Sequence, residues 1–485
     1  MSKMKITIAG GGTAGLVTAL IFNTRLNADI EMIVPSNIGI IGVGEGSTEH
    51  WTTFLNFIGI TKTQSLKNTK GTVKAGINFK GWTPETGNYA HSILSYFTDD
   101  MIGDTTYTQA KLMAENTSAE DFAGHLLNNN YINPNEETGG WNQFHFNTFA
   151  LNNFFIKVAK ARGIKIVDDE ITQVHKDENG ISKLTGTKGD YTADFYVDCT
   201  GFKRLLISEL GAKWVSYSKY LPLNEAIAFG TKDTDIYPML TEAKTMSAGW
   251  KWTIPTYGRT GNGYIFDTDF ITKEQAHEEI NYMYGEEIEI AKHIKFDPGK
   301  LDKVCISNCL AVGLSANFLE PLEATSIGSS IQQAFIAMHK IRGDGSISPP
   351  DRKLINTMTD GLMHNARDFV ALHYINDNRS TPFWEKCAEL PRPDSLMALL
   401  ESLKYKPLDL HDFDMYKSGY CMFGPDNFNL VAYFHRLLKP EICQLQIDSF
   451  NPNVLPSSGS GIYEMSRNNA SGIPHKEYIQ RINNI

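Results

Sequence analysis

Four stretches of this 485-residue chain carry residue types that could do chemistry. Thr72–Trp82 alternates like a strand, with Val73, Ala75, Ile77 and Phe79 on one face and Lys74, Asn78, Lys80 and Trp82 on the other. The ordinary use of Lys74 there is as a solvated cation; when buried, an amine titrates near neutrality and can donate or accept a proton. Glu320-Pro321-Leu322-Glu323 runs into Ala324-Thr325-Ser326-Ile327, where Thr325 or Ser326 is placed to cap a helix continuing through Ile331 and Ala334. That N-terminus offers N–H groups to an anion, and two acids beside it ordinarily complement the helix dipole. Gly249-Trp250-Lys251-Trp252-Thr253-Ile254-Pro255 sets two of the seven tryptophans on one side of a strand, an arrangement that more often packs than reacts.

The fourth stretch is the turn that the first element feeds. Ile6-Thr7-Ile8-Ala9 reads as a strand, Gly10-Gly11-Gly12-Thr13-Ala14-Gly15 as a tight turn, and Leu16, Val17, Ala19 and Leu20 as the start of a helix. In that order the pattern binds a dinucleotide pyrophosphate on free helix N–H groups. The second strand, Ile30–Val34, ends in Pro35-Ser36 instead of the acid that usually holds a ribose, which leaves Ser36 as the nearest polar side chain. The glycine-rich stretch 39–48 suits backbone lying against a flat cofactor.

Further along, Thr148–Arg162 reads as a helix, and Ile164–Val167 and Ile171–Val174 as strands. Phe195–Asp198 and Cys309–Val312 are apolar strands ending in small-residue turns, like the later strands of a two-part FAD fold. Helices are expected at 351–375, 395–404 and 427–438, and loop at 85–140 and 449–474. The expected fold class is α/β, a Rossmann-like two-part cofactor module over 1–350 followed by a smaller, mainly helical module over 351–485.

A formal charge of −10 disfavours nucleic acid as a partner, and no apolar run is long enough to span a bilayer. The chain opens directly into its first strand with no signal-peptide pattern, and its six cysteines are scattered without metal spacing. A cytoplasmic, metal-free protein is expected; the sequence leaves homo-oligomerisation open.

In this order, Gly10–Gly15, Gly42-Val43-Gly44-Glu45, the Lys74 strand, Asp198-Cys199-Thr200-Gly201-Phe202, Trp250-x-Trp252-x-Ile254-Pro255 and Glu320-Pro321-Leu322-Glu323 resemble the flavin-dependent halogenases, specifically the tryptophan-halogenase branch. Milder likeness runs through His145-Phe146, Arg367-Asp368-Phe369, His373-Tyr374 and Thr381–Trp384, so the resemblance covers residues up to about 390. It implies a fold that binds FAD through Gly10–Gly15, Ser36, Ile38, Ile41, Val43, Gly46, Val174, Leu314 and Ile327. A separate flavin reductase would supply FADH2, and FADH2, O2 and a halide would then yield hypohalous acid. By the same resemblance Thr325 and Ser326 would bind the halide. Lys74 would hold the oxidant by hydrogen bond or as a haloamine, and Glu323 would polarise it and accept the ring proton. Trp250, Trp252, Ile254 and Pro255 would wall a small aromatic substrate off from the flavin.

Three departures qualify the likeness. Ala324 stands where the family often has Ser, and Ser326 where Gly is usual. The chain looks shorter than tryptophan halogenases beyond about residue 390, and neither Tyr420–Pro425 nor Phe428–Leu438 matches their tryptophan-gripping part. Together these imply a more open pocket and an indole- or phenol-like substrate other than free tryptophan. Two rival readings are a flavin-dependent aromatic hydroxylase, which would need neither Lys74 nor halide, and a non-catalytic FAD protein.

Overall fold

Two sheets and the helices between them organise the chain. The computed structural model describes residues 3–36, 45–83, 88–91, 110–111, 113–115, 130–416, 421–449 and 469–484. Ile38, Ile41, Val43, the 39–44 part of the glycine-rich stretch, and much of the loops expected at 85–140 and 449–474 lie outside these residues.

The first sheet has six strands in the order Cys305–Ile306, Cys309–Ala311, Phe195–Asp198, Met4–Ala9, Ala28–Ile33 and Lys165–Val167, all parallel except the edge hairpin. Met4–Ala9 sits at its centre because Ile6, Ile8 and Ala9 are buried there, as a parallel strand covered on both faces must be. Helix Thr13–Arg25 covers one face, its run Gly15–Phe22 entirely buried. The second sheet has seven strands, in the order Ile290–Lys295, Glu225–Thr231, Arg259–Phe266, Gly249–Thr256, Leu240–Met246, Gly76–Lys80 and Asn88–His91.

Lys74 stands where the chain changes sheets. Thr72–Trp82 is not one strand: Thr72–Lys74 pairs with Gln143–Phe146 in a small sheet, and after Ala75 the strand Gly76–Lys80 enters the seven-stranded sheet beside Leu240–Met246. The solvated reading of Lys74 therefore fails; the side chain is 1% exposed. Period-two patterning assigns faces only within a single sheet.

The helices after residue 350 share a core with the second sheet. Leu362, Phe369, Trp384 and Phe428 cluster with Phe79, Trp82, Trp250 and Trp252. The last helix, His475–Asn484, returns to the other core through Tyr478, Ile479 and Ile482. Its first residue braces the Lys74 strand: His475 Nε2 accepts from the Val73 N–H at 3.1 Å, and Nδ1 donates to the Tyr237 carbonyl at 2.9 Å. Burial holds this imidazole at about 4, so it stays neutral and keeps both roles. His475→Ala leaves two buried backbone groups unpaired and should cost about 2–4 kcal/mol, read as a lower urea midpoint with unchanged slope.

Candidate active site

A cavity of about 630 Å³ joins the turn after the first strand to the end of the Lys74 strand. Of the residues singled out from the sequence, Gly10, Gly11, Gly12, Thr13, Ala14, Ser36, Gly46, Leu314, Ile327, Ser326, Trp250, Trp252, Ile254, Lys74 and Glu323 line it. Gly15, Val174, Pro255 and Thr325 do not line it. Val174 pairs with Leu184 in a hairpin, and the Pro255 carbonyl accepts from the Thr72 hydroxyl at 2.7 Å.

The glycine turn fits a pyrophosphate. Gly10 has φ +110, and a Cβ there would lie 2.2 Å from the Cys199 carbonyl oxygen; a Cβ at Gly15 would lie 2.2 Å from the Gly10 oxygen. Gly12 instead faces open space and precedes helix Thr13–Arg25 with no side-chain cap, leaving its N–H groups free toward the cavity. Where the ribose acid is missing, the adjoining segment contributes Asp169 and Glu170 to the lining. Asp169 is already engaged by Thr187, Tyr191 and the Lys188 N–H, and Asp168 accepts from the Ser36 N–H at 2.9 Å, so of this segment's acids Glu170 is the one left to the cavity.

The Trp wall is held by two devices. Trp250 and Trp252 have ring centroids 6.1 Å apart, and a Cβ at Gly263 on the neighbouring strand would come within 2.1 Å of the Trp252 ring. Glycine at 263 is thus what lets that indole lie across the sheet. Trp250 Nε1 donates to Glu320 Oε1 at 3.1 Å, and the Tyr374 hydroxyl donates to the same oxygen at 2.8 Å. Burial pushes Glu320 up to about 7 despite these two donors.

Glu323, three residues on, is treated oppositely. Burial would raise its pKa, yet His91 and His373 hold it down at about 2. His91 Nδ1 lies 2.9 Å from both carboxylate oxygens and His373 Nε2 lies 3.1 Å from Oε1. The carboxylate reaches them through two consecutive left-handed residues, Glu323 (φ 63) and Ala324 (φ 54), where L-residues cost roughly 1–2 kcal/mol each. Helix Thr325–Met338 starts directly after them, so neither Thr325 nor Ser326 caps it, and the acids do not serve its first turn. Ala324 takes the cap position because the kink that aims Glu323 leaves no extended residue there.

Lys74 Nζ donates to the Ser47 carbonyl at 2.9 Å. Gly46 lies alongside the amine: a Cβ there would meet Nζ at 3.4 Å, an ordinary contact distance. Burial lowers the ammonium pKa to about 8, against the opposing pull of the Glu323 and Glu49 charges. Amine and carboxylate thus converge on one cavity from positions 249 residues apart in sequence (323 − 74). The sequence marked His373 and Tyr374 only as part of a motif. It did not mark His91 or Asn427, since nothing local distinguishes them from core polar residues.

The fold and cavity define an α/β enzyme with a dinucleotide cofactor site. The family model of the tryptophan halogenases matches residues 5–441, and the chain belongs to that family of flavin-dependent halogenases. It is 28% identical over 472 residues to the tryptophan 6-halogenase SttH of Streptomyces toxytricini, covering 89% of this chain and 87% of SttH. To the tryptophan 7-halogenase RebH of Lentzea aerocolonigenes it is 27% identical, covering 89% and 85%. Among solved structures, Xcc4156, a flavin-dependent halogenase from Xanthomonas campestris, superposes with a TM-score of 0.86 at 26% identity, covering 99% of this chain and 98% of Xcc4156. The SttH structure superposes at 0.87, covering 99% and 100%.

A buried amine depressed from 10.5 to about 8 has a definite stability signature. Between pH 8 and 10.5 the unfolded chain binds the extra proton, so stability rises with pH across that window. Lys74→Met should therefore raise the melting temperature most at or below pH 8, by up to about 3 kcal/mol equivalent. The gain should vanish toward pH 10.5, as followed by thermal melts across that range.

Proposed function

We propose that the protein halogenates an electron-rich, indole- or phenol-like ring with hypohalous acid held by Lys74, and that free tryptophan is not its required substrate. One observation carries the reading: a buried amine and a buried carboxylate share a single cavity with a vacant-faced glycine turn. Gly10–Ala14 and the N-terminus of helix Thr13–Arg25 would hold the FAD pyrophosphate, with Ser36 and Glu170 at the ribose and Leu314 and Ile327 at the ring. Bound there as FADH2 from a separate reductase, with O2 and a halide held near Thr325 and Ser326, the cofactor would supply hypohalous acid.

The residues on this chain do the rest. Trp250, its N–H already given to Glu320, stands with Trp252 and Ile254 as a largely apolar wall that keeps the ring substrate from the cofactor side. With a pKa of about 8, Lys74 is mostly ammonium at neutral pH and so donates a hydrogen bond to the oxidant oxygen. It can release that proton as the oxygen departs as water. Glu323, ionised, accepts the proton the ring carbon loses. The balance is arene plus hypohalous acid giving haloarene plus water. Helix Pro425–Phe434 contains no Lys or Arg, so no cation on that helix would hold an amino-acid carboxylate; this supports the wider substrate range. Larger halides are easier to oxidise, which favours bromide over chloride.

With a flavin reductase, FAD, O2, bromide and indole, the protein should yield bromoindole by mass detection, and no product without bromide. Lys74→Ala should bind FAD as the parent does while bromination falls about 100-fold or more, with Glu323→Gln similarly reduced. A halide-independent oxygenated product, or full activity of Lys74→Ala, would overturn the reading.

A further inference from the structure

Each imidazole beside Glu323 turns toward it the nitrogen that a neutral ring leaves bare. His373 Nδ1 lies 2.9 Å from the Phe369 carbonyl oxygen, which only accepts, so Nδ1 carries a proton. His373 Nε2, facing Glu323 Oε1, is then protonated only in the imidazolium. His91 Nε2 lies 2.9 Å from Asn427 Oδ1, and that amide is oriented by its Nδ2 donating to Asp426 Oδ1 at 3.1 Å. His91 Nε2 therefore carries a proton, and Nδ1, facing both Glu323 oxygens, is again the bare nitrogen of the neutral ring.

Both contacts to Glu323 are hydrogen bonds only when two protons lie among the carboxylate and the two facing nitrogens. With one proton there, a nitrogen lone pair confronts a carboxylate lone pair in a fully buried place, since all three side chains are 0% exposed. When one imidazole is cationic and the other neutral, gaining a proton thus completes the set of hydrogen bonds instead of breaking one. Neighbouring charges are disposed to tolerate it: Asp426 favours the His91 cation, and the Lys74 ammonium has its own partner at the Ser47 carbonyl.

We infer that the proton released by the ring is stored in the shared His91–Glu323–His373 cluster, not on Glu323 alone, which makes His91 and His373 positioning residues for the deprotonation step. This rests on the halogenation reading above. In the step, the ring carbon bearing the new carbon–halogen bond keeps the C–H electron pair and becomes aromatic again. Its proton passes to a Glu323 oxygen and is shared with the facing imidazole nitrogen; no electrons leave the cluster, and no further oxidant is needed.

His91→Asn and His373→Gln test it, because each keeps an amide N–H aimed at Glu323 and removes the ability to titrate. With bromide and ring-deuterated indole, the parent should show a deuterium isotope effect near 1 on kcat. Each variant should brominate about 100-fold more slowly, at nearly unchanged KM, with an isotope effect above about 2, since losing the ring proton becomes rate-limiting. Parent-like turnover, slower turnover without an isotope effect, or loss of FAD binding in both variants would assign the histidines a merely structural role and overturn the inference. Absence of bromoindole from the parent itself would remove the halogenation reading, and this inference with it.

Discussion

The structure depends on keeping an ammonium and a carboxylate buried in its interior, both on residues that line one cavity. Lys74 and Glu323 are at most 1% exposed, and removing either charge from water costs several kcal/mol before any compensation. The compensation is spread over the whole chain. Ser47 supplies the carbonyl for Lys74, strand Asn88–His91 and helix Pro349–His373 supply the imidazoles for Glu323, and helix Pro425–Phe434 fixes one of those imidazoles through Asn427. This explains why the helices after residue 350 share a core with the second sheet. A separately packed helical unit could not hold His373 within 3.1 Å of a carboxylate on another element.

Two glutamates three residues apart have their pKa values moved in opposite directions because their partners differ. Glu320 receives two neutral donors, an indole N–H and a phenol O–H, and burial wins. Glu323 faces two imidazoles, which can be cationic, and they win over burial. The first carboxyl anchors the tryptophan wall, which is stiffened by Trp82 against Trp250, Tyr374 and Trp384. The second belongs to a residue that lines the cavity. Separating protonation states by environment lets one short loop serve architecture and chemistry together.

The strained pair Glu323–Ala324 marks where this division is made. Two left-handed L-residues in succession persist only when the surroundings over-determine them. Here Leu322 is locked in the second core while the helix beginning at Thr325 packs against Thr13–Arg25. The kink lies between two packed regions, and the carboxylate is aimed by both.

Local order was legible without coordinates. The strand Ile6–Ala9 with its glycine turn and following helix, the paired tryptophans and the helix expected at 351–375 (found as Pro349–His373) follow from periodicity and from glycine placement, which act over a few residues. The order of motifs along the chain was enough to indicate the family. Tertiary structure alone decided that Lys74 is buried, because the alternation through Thr72–Trp82 spans a change of sheet that no local pattern announces. It alone replaced the expected Thr325 or Ser326 cap by a kink. It also brought together His91, Glu323, His373 and Asn427 from four distant segments. A neutral core histidine and one that completes a buried proton-sharing cluster have the same neighbours in sequence, and only their partners across space tell them apart.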